Sequence, residues 1–344
     1  MNAQNVKIKK ETKNKIRVEF DRTPFWERVK LKVFSLNFLK TVVWTLFRFV
    51  FLIGISYVIL YPFFSKIMES FMSQQDFMDV SVSLVPKYPT LDTYREIIVQ
   101  NKYFQAVFNT LIISLLCAVI QTFICAFIGY GFAKFKFRGN KILFFLVIFT
   151  MIVPHETIKF SMYMQFNYFD FLGALSWLHR LFPAIPEYIR LINTHVPLAL
   201  LSLTGLAFKN GLYIFMMRQF YRGIPDALEE SAYVDGSGVF KTFFKIILPL
   251  SVPMMITIFI FTFSWQWTDN FYTELFYTET QNWLMPNIVA IPSTLNVNFA
   301  AGELYRVAIR NTCGLLIILP LLIMYLFCQR YLIQGIERSG ITGE

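Results

Sequence analysis

The residues with the most chemistry to offer lie in one short charged segment between two strongly apolar runs. Residues 225–253 read PDALEESAYVDGSGVFKTFFKIILPLSVP. Four carboxylates in this docking segment could make ionic or polar contacts with another protein: Asp226, Glu229, Glu230 and Asp235. Ser231 and Ala232 beside them are small, so a second surface could approach closely. The pattern predicts a loop that binds a protein partner.

The rest of the sequence lacks the patterns of catalysis or metal binding. The three histidines are not spaced as metal ligands: His155, His179 and His195. The four cysteines form no C-x-x-C pair and lie in or beside apolar runs, which is typical of small buried residues. There is no Ser-His-Asp or Cys-His arrangement and no G-x-x-x-x-G-K-[ST] phosphate loop. We therefore expect no enzymatic activity, and no cofactor or metal bound by this chain.

The docking segment is predicted to fold as two helices separated by a turn. Pro225 and Asp226 suit a helix start, because proline is tolerated in the first turn and an acid favours the positive end. The sequence DGSG at 235–238 ends that helix, since glycine reaches backbone angles closed to other residues. A second helix over 239–248 has an apolar side opposite two lysines: Phe240, Phe243, Phe244 and Ile247 against Lys241 and Lys245.

The composition places the chain in a membrane. Of its 344 residues, 56% are hydrophobic and only 16% are charged, so a single soluble core could not bury the apolar surface. A spanning helix needs about 20 mostly apolar residues, and a helix satisfies its own backbone groups in lipid. Six segments are predicted to cross: 41–64, 104–133, 142–154, 196–217, 246–268 and 311–329. The third is shorter than about 20 residues, so we expect its outer end to be sheltered by protein. The predicted fold class is an all-α integral membrane protein with six transmembrane helices.

The basic residues predict the orientation, because lysine and arginine in short connections favour the cytosol. Eleven basic residues lie within residues 1–40, and four more occur in KFKFRGNK at 134–141. We therefore place both termini in the cytosol, and the connections 65–103, 155–195 and 269–310 outside. The formal charge of +10 is then a topology signal and does not indicate nucleic-acid binding.

The N-terminal residues are polar and basic, without the short apolar core of a cleavable signal peptide. We expect a disordered tail over 1–22 and an interfacial helix over 24–40, whose Trp26 and lysines suit the headgroup region. The predicted division is a cytosolic arm and interfacial helix over 1–40, a transmembrane domain over 41–334 containing the cytosolic loop 221–249, and a cytosolic tail over 335–344.

The docking segment resembles the EAA loop of permease subunits of binding-protein-dependent ABC importers. That pattern has Glu-Ala-Ala, three residues and Gly, followed by an apolar stretch ending in Leu-Pro. Here residues 230–232 read ESA, Gly236 takes the glycine position and Pro249 ends the apolar stretch. Ser231 replaces an alanine and Gly238 is an additional glycine. Neither change adds bulk that would oppose docking.

Other stretches are similar to carbohydrate permeases of this family. Residues 89–113 resemble the entry to the second span, 261–277 the exit of the fifth, and 329–342 the C-terminal tail. The resemblance covers about residues 46–342 and is closest to the second permease subunit of maltose-type importers. Residues 173–191 depart from the family as an additional outward stretch.

The resemblance implies a type I ABC importer transmembrane domain that forms half of a pore for a carbohydrate. It implies as partners a second homologous permease subunit, two ATPase subunits that bind ATP and magnesium, and an extracellular solute-binding protein. It also implies a set of ATPase-coupling residues: Asp226, Glu229, Glu230, Ser231, Ala232, Asp235 and Gly236. Among them Glu230 would make a polar contact, while Ala232 and Gly236 would allow a close fit. Closure of the ATPases would move this helix as a lever between inward-facing and outward-facing states.

A solute path needs polar groups within the spans, where they usually face a bundle interior or water. The candidates lie in the fourth span and at the end of the fifth: Lys209, Asn210, Trp265, Gln266, Trp267, Asp269, Asn270 and Tyr272. The aromatic residues could stack on sugar rings, although aromatic residues at a membrane interface also act as anchors. Lys209 could equally pair with a carboxylate of a partner permease.

Other functions stay open from the sequence alone. The chain could be an ABC permease for a non-sugar solute. It could be an ion-coupled secondary transporter, although such proteins usually carry buried acids and internal repeats over more spans. A membrane-bound enzyme is a third class, for which the sequence offers no convergent site.

Overall fold

The computed structural model describes most of the chain, namely residues 7–11, 17–21, 26, 36–207, 209–279 and 284–340. These residues belong to two compact units, one ending at Met68 and one beginning at Glu69. The second unit contains the docking segment and all the candidate path residues.

The first unit begins with a two-stranded hairpin. Strands Lys7–Glu11 (β1) and Arg17–Asp21 (β2) pair antiparallel, with Lys7 opposite Asp21 and Glu11 opposite Arg17. The predicted disordered tail over 1–22 is therefore wrong for these strands, because their pairing satisfies backbone N–H and C=O groups that a tail leaves to water. The interfacial helix predicted over 24–40 lies mostly outside the described residues.

A single long helix, Leu36–Glu69 (α1), follows the hairpin and runs to the start of the second unit. It has 34 residues and a length of about 51 Å, which exceeds the roughly 30 Å of hydrocarbon in a bilayer. Its apolar stretch over Lys40–Glu69 has no buried residues in its most apolar window. This exposure is expected of a first span whose side chains face lipid.

The second unit is built from helices joined by connections of very different length. Their bounds are Gln74–Met78 (α2), Asp92–Gln100 (α3), Tyr103–Lys134 (α4), Asn140–Ile152 (α5), His155–Asn167 (α6), Ala174–Leu181 (α7), Val196–Leu203 (α8), Asn210–Arg222 (α9), Ala227–Val234 (α10), Val239–Thr242 (α11), Leu248–Leu250 (α12), Val252–Trp267 (α13), Phe271–Phe276 (α14) and Gly302–Gly340 (α15). A π-helical turn, Phe243–Ile247, joins α11 to α12.

The described residues contain three continuous helices that are long and apolar enough to cross a membrane: α1, α4 and α15. Two further spans are possible as bent pairs. One pair is α5 with α6, bent by 100°, and the other is Val239–Leu250 with α13, bent by 75°. Five of the six predicted spans thus have a counterpart. The count of six stays a prediction, because the fourth predicted span, 196–217, is divided between α8 and α9.

The division of the fourth span has a local cause. Gly205 adopts φ +74° directly after the last residues of α8. Its N–H donates to the Ser202 carbonyl at 3.3 Å, and the N–H of Leu206 donates to the Leu201 carbonyl at 3.0 Å. These two bonds form a Schellman motif, which ends a helix at a glycine in the left-handed region. Lys209, also left-handed at φ +68°, is the N-cap residue directly before α9.

Helix α4 is the central element of the second unit. It packs against α8, α9 and α13, and it contributes residues to each of the three buried apolar clusters. Small buried residues along it allow close helix approach: Ala106, Ala118, Ala126 and Gly129. Cys117 and Cys125 on this helix are buried and free, as predicted for small apolar residues.

The additional outward stretch predicted over 173–191 is folded. It contains the short helix α7 and is closed at its base by an antiparallel bridge between Phe169 and Ile189. The side chain of Asp170 accepts hydrogen bonds from the N–H groups of Leu175 at 2.7 Å and Ser176 at 3.0 Å. These bonds fix the start of α7.

The last span also departs from its prediction. Helix α15 continues without interruption from Gly302 to Gly340, well beyond the predicted span 311–329. The cytosolic tail predicted to begin at 335 is therefore helical up to Gly340. A helix of 39 residues is about 58 Å long, so part of it must lie outside the bilayer.

Replacing Gly129 by alanine should weaken the packing of α4 against α9. A Cβ at position 129 would lie 2.6 Å from the Cβ of Met217, and forcing a methyl group into a packed interface costs about 1–3 kcal/mol. Gly131→Ala is the matched control, because its Cβ would meet nothing within 4 Å and alanine favours helix by about 1 kcal/mol. Thermal unfolding in detergent should give a lower Tm for Gly129→Ala only. A Tm at or above that of the wild type would contradict this close approach.

Candidate functional site

The end of helix α10 explains the spacing of the EAA-like pattern. Asp235 is the C-cap, and Gly236 follows it at φ +74°. The N–H of Gly236 donates to the Tyr233 carbonyl at 3.0 Å, and the N–H of Ser237 donates to the Ala232 carbonyl at 2.9 Å. These bonds form a second Schellman motif, which needs a left-handed residue directly after the C-cap. The glycine of the pattern therefore stands where the helix must end.

Lys134, the last residue of α4, binds the start of α10. Its Nζ lies 3.1 Å from Oε2 of Glu229 and 2.5 Å from Oδ1 of Asp226, and it donates to the Ile224 carbonyl at 2.7 Å. One turn earlier on α4, the hydroxyl of Tyr130 donates to Oε1 of Glu229 at 2.6 Å. Both carboxylate oxygens of Glu229 are thus occupied within the chain.

The two carboxylates bound by Lys134 differ in environment. The side chains of Lys134 and Glu229 are only 8% and 9% exposed, and removing one member of such a buried pair typically costs about 3–5 kcal/mol. Asp226 is open to solvent, where water screens its attraction to Lys134. The hydrogen bond from Lys134, and then the charge of Lys134, hold the pKa of Asp226 below its usual value. Asp226 therefore stays ionised at neutral pH.

The remaining coupling residues divide between the two faces of α10. Glu230, Ser231 and Asp235 are exposed, and so is Gly236 beyond the helix. Ala232 is only 4% exposed. The close fit predicted between Ala232 and a partner is therefore wrong, because this small residue is packed inside its own chain. The exposed face leaves Glu230 accessible to another protein.

The second half of the docking segment is less regular than predicted. The π-helical turn replaces part of the continuous helix expected over 239–248. The expected apolar side is also divided: Phe243 and Ile247 are buried, while Phe240 and Phe244 are exposed. The ring of Phe243 lies 4.7 Å from that of Tyr130, centroid to centroid. The buried half therefore packs against the end of α4 that carries Tyr130 and Lys134.

The polar residues at the end of α13 line a small cleft with residues of other helices. The lining consists of Gln121, Tyr213, Thr262, Trp265, Gln266, Asp269 and Tyr272. Its volume is about 20 Å³, which is room for about one water molecule. A sugar ring does not fit this conformation, so binding here would need the surrounding helices to separate.

Lys209 contacts one residue of the cleft lining, the ring of Trp265. Its ammonium lies 4.8 Å from the centroid of the Trp265 ring, a cation–π contact that typically contributes about 0.5–2 kcal/mol. Trp265 is 52% exposed. Lys209, Trp265 and Gln266 are therefore brought together, and their role in a solute path stays a prediction.

Three predicted path residues lie elsewhere. Trp267 is 1% exposed and its indole N–H donates to the Ile317 carbonyl at 3.0 Å, so it is a core residue held by α15. Asn210 is 1% exposed, and its side-chain amide has no hydrogen-bond partner in the described part of the chain. Asn270 is exposed at the start of α14 and does not line the cleft.

Sequence reasoning missed Gln121, Tyr213 and Thr262 as cleft residues. A signal existed for Gln121, an amide within the uncharged second span, where polar side chains usually face the bundle interior. Its Nε2 donates to Oγ of Ser202 on α8 at 3.1 Å. Its Oε1 is buried without a hydrogen-bond partner among the described residues. Tyr213 and Thr262 gave no comparable signal, because both residue types are common in apolar spans.

The histidines do not form a site. No group of three or more His, Cys, Asp or Glu side chains among the described residues could hold a metal ion. The Nδ1 of His179 lies 2.6 Å from the Ile185 carbonyl, and that of His195 lies 2.8 Å from the hydroxyl of Tyr277. The first contact lies within the stretch 173–191, and the second joins the segment before α8 to the end of α14.

The chain is similar over most of its length to permease proteins of bacterial transport systems. It is 26% identical over 306 residues to the galactooligosaccharides transport system permease protein GanQ of Bacillus subtilis (strain 168), covering 87% of this chain and 95% of that protein. The maltodextrin transport system permease protein MalD of Streptococcus pneumoniae (strain ATCC BAA-255 / R6) is 25% identical over 303 residues, covering 86% and 94%.

A solved structure has the same fold. A chain of a bacterial ABC transporter involved in the import of the acidic polysaccharide alginate matches with a TM-score of 0.61 at 19% identity, covering 90% of this chain and 99% of that chain. The family profile described as binding-protein-dependent transport system inner membrane component matches residues 125–338, which include the docking segment. This match confirms the resemblance seen in the EAA-like pattern: the chain belongs to the family of binding-protein-dependent transport system inner membrane components.

Proposed function

We propose that this chain is the transmembrane permease subunit of an ATP-driven carbohydrate importer and forms half of its translocation pore. The observation that carries the proposal is the division of α10 into two faces. Glu229 fixes the helix to α4, while Glu230, Ser231 and Asp235 face solvent. Because one face of α10 is fixed to α4 and the other is exposed, a cytosolic protein could bind the exposed face and move α10 as a rigid body.

A carbohydrate is the solute class favoured by the relatives and by the cleft. GanQ and MalD are named for galactooligosaccharides and maltodextrin. The cleft combines an exposed tryptophan with amide and hydroxyl groups, a mixture that suits sugars, whose C–H faces stack on aromatic rings. We therefore assign Trp265, Gln266 and Gln121 to the solute path, with Lys209 at its rim.

The partners follow from family membership. A second permease subunit would complete the pore, two ATPase subunits would bind ATP and magnesium, and an extracellular binding protein would deliver the solute. Both termini and α10 would lie in the cytosol, as the basic residues of the arm and of 134–141 indicate. Hydrolysis belongs to the ATPases, so this chain contributes binding and movement.

Uptake by proteoliposomes tests the proposal. The vesicles would contain this chain, the second permease subunit and the two ATPase subunits, with the binding protein and a labelled oligosaccharide outside. Accumulation should require ATP and magnesium on the ATPase side, whatever the ion gradient. Accumulation that survives removal of the ATPases and collapses with the ion gradient would overturn the proposal and identify a secondary transporter.

The carbohydrate assignment is tested separately from the transport mechanism. Calorimetry of the binding protein against a panel of glycans and of non-sugar solutes should give heat of binding for a glycan. Binding of a non-sugar solute alone would replace carbohydrate by that solute class and leave the permease assignment in place.

Gly236→Pro should uncouple ATP hydrolysis from uptake. Proline fixes φ near −65°, against +74° here, and removes the N–H that donates to Tyr233. The end of α10 would be lost, so uptake per ATP should fall about tenfold or more, while the chain still reaches the membrane fraction. Gly238→Ala is the control, since Gly238 has φ −75° and a Cβ added there would meet nothing within 4 Å. Normal uptake by Gly236→Pro would contradict a coupling role for this turn.

Trp267→Ala should mainly lower stability, whereas Trp265→Ala should mainly reduce uptake. Loss of the buried Trp267 should cost about 3–5 kcal/mol of stability, measured as a large fall in Tm. Loss of the half-exposed Trp265 should cost only about 0.5–2 kcal/mol, the size of its cation–π contact with Lys209, but reduce sugar uptake. Normal uptake by Trp265→Ala would instead identify this residue as a membrane-interface anchor.

A further inference from the structure

The docking helix α10 follows α9 after the short link 223–226, and it is attached to two further transmembrane helices in ways that differ in kind. On one side its carboxylates bind the inner end of α4. On the other side the chain continues through α11 and α12 into α13. The difference indicates which transmembrane helix follows α10 when the ATPases move it.

We propose that Tyr130 and Lys134 clamp α10 to α4, so that movement of the docking segment reaches the solute cleft through α4 rather than through α13. This inference rests on the proposed function, since it presumes that an ATPase moves α10. Tyr130 and Lys134 do not touch the solute and act through Glu229, so they are positioning residues.

The attachment to α4 is specific and buried. The hydroxyl of Tyr130 occupies one oxygen of Glu229 and the ammonium of Lys134 the other, at 2.6 and 3.1 Å. Lys134 also holds the Ile224 carbonyl and the carboxylate of Asp226. Because the Lys134–Glu229 pair is almost fully shielded from water, its attraction is barely screened and its members have few alternative partners.

The connection from α10 to α13 contains a bend. The chain passes through the π-helical turn Phe243–Ile247, a feature in which the usual helical hydrogen-bond ladder is interrupted. It then turns by 75° between Val239–Leu250 and α13. Pro249 and Pro253 lie on either side of this bend, and proline removes a backbone donor from the ladder. We therefore expect a rotation of α10 to change the angle of this bend and to leave α13 in place.

Helix α4 connects the clamp residues to the solute cleft without a break. It is continuous for 32 residues and carries Gln121 in the lining of the cleft. Gln121 is nine residues from Tyr130, or about 14 Å along the helix axis. The close approach of Gly129 to Met217 fixes α9 to the same helix, and α9 carries Tyr213 of the cleft. A displacement of α10 would therefore move two walls of the cleft together.

Transport stoichiometry tests the clamp with matched lysine variants. The complete complex in proteoliposomes would carry Lys134→Met, Lys134→Arg or Lys141→Met, the last removing an exposed lysine of α5 as a charge control. Solute molecules imported per ATP hydrolysed should fall about tenfold in Lys134→Met, and Tyr130→Phe should lower the ratio in the same direction. Lys134→Arg should restore it and Lys141→Met should leave it at the wild-type value. Poor folding reduces the amount of complex but not this ratio.

The outcomes separate the clamp from the function on which it rests. If the wild type imports solute with ATP and both Lys134→Met and Tyr130→Phe keep its ratio, the clamp is overturned and the permease assignment stands. If the wild-type complex shows no ATP-driven uptake, the proposed function itself fails.

A distance measurement keeps the inference testable should the Lys134 variants not fold. Spin labels would be placed in a variant lacking the four native cysteines, with one label at the exposed Val234 on α10 and the other at Phe104 or Thr268, the outer ends of α4 and α13. Between nucleotide-free and ATP-trapped complexes the Val234–Phe104 distance should change by less than about 2 Å, the size of small helix shifts. The Val234–Thr268 distance should change by more. The reverse result would overturn the clamp.

Discussion

Lipid offers no hydrogen-bond partners, so the backbone groups freed at a break in a transmembrane helix must be satisfied by protein groups or bound water. This constraint decides where the functional residues of the second unit lie. Gly205 ends α8 with a Schellman motif, and Gly236 ends α10 with the same motif. Asp269 accepts hydrogen bonds from the N–H groups of Tyr272 and Thr273 at the start of α14. The breaks in turn place Lys209, α10 and the polar cleft.

Two neighbouring carboxylates in the docking segment have different tasks because successive residues of a helix point about 100° apart. Glu229 faces α4 and is neutralised by Lys134 with the help of Tyr130. Glu230 faces solvent. A partner that binds the exposed acid therefore pulls on a helix whose other side is already fixed. The small residue at Ala232 serves the inner face, where bulk would separate α10 from its own chain.

The sequence was sufficient for features that depend on long apolar runs or on local backbone rules. It predicted α4 and α15 as spans, the start of α10 and the turn at Gly236. It could not predict the division of the fourth span, because average hydropathy is insensitive to a single glycine at positive φ. It also could not assign Glu229 to the inner face, since that contact depends on Lys134 far earlier in the chain. Trp267 was misplaced for the same reason, because its partner lies on α15.

The folded outward stretch has a consequence for how such a chain can vary. Phe169 and Ile189 meet at its base, so the backbone leaves and re-enters the transmembrane unit at nearly one point. Lengthening, shortening or exchanging the residues between them would not shift the ends of α6 and α8. Its helix α7 also carries an exposed tryptophan, Trp177. Residues could therefore be exchanged in this stretch, and a permease could gain a new contact there, while the surrounding helices keep their positions.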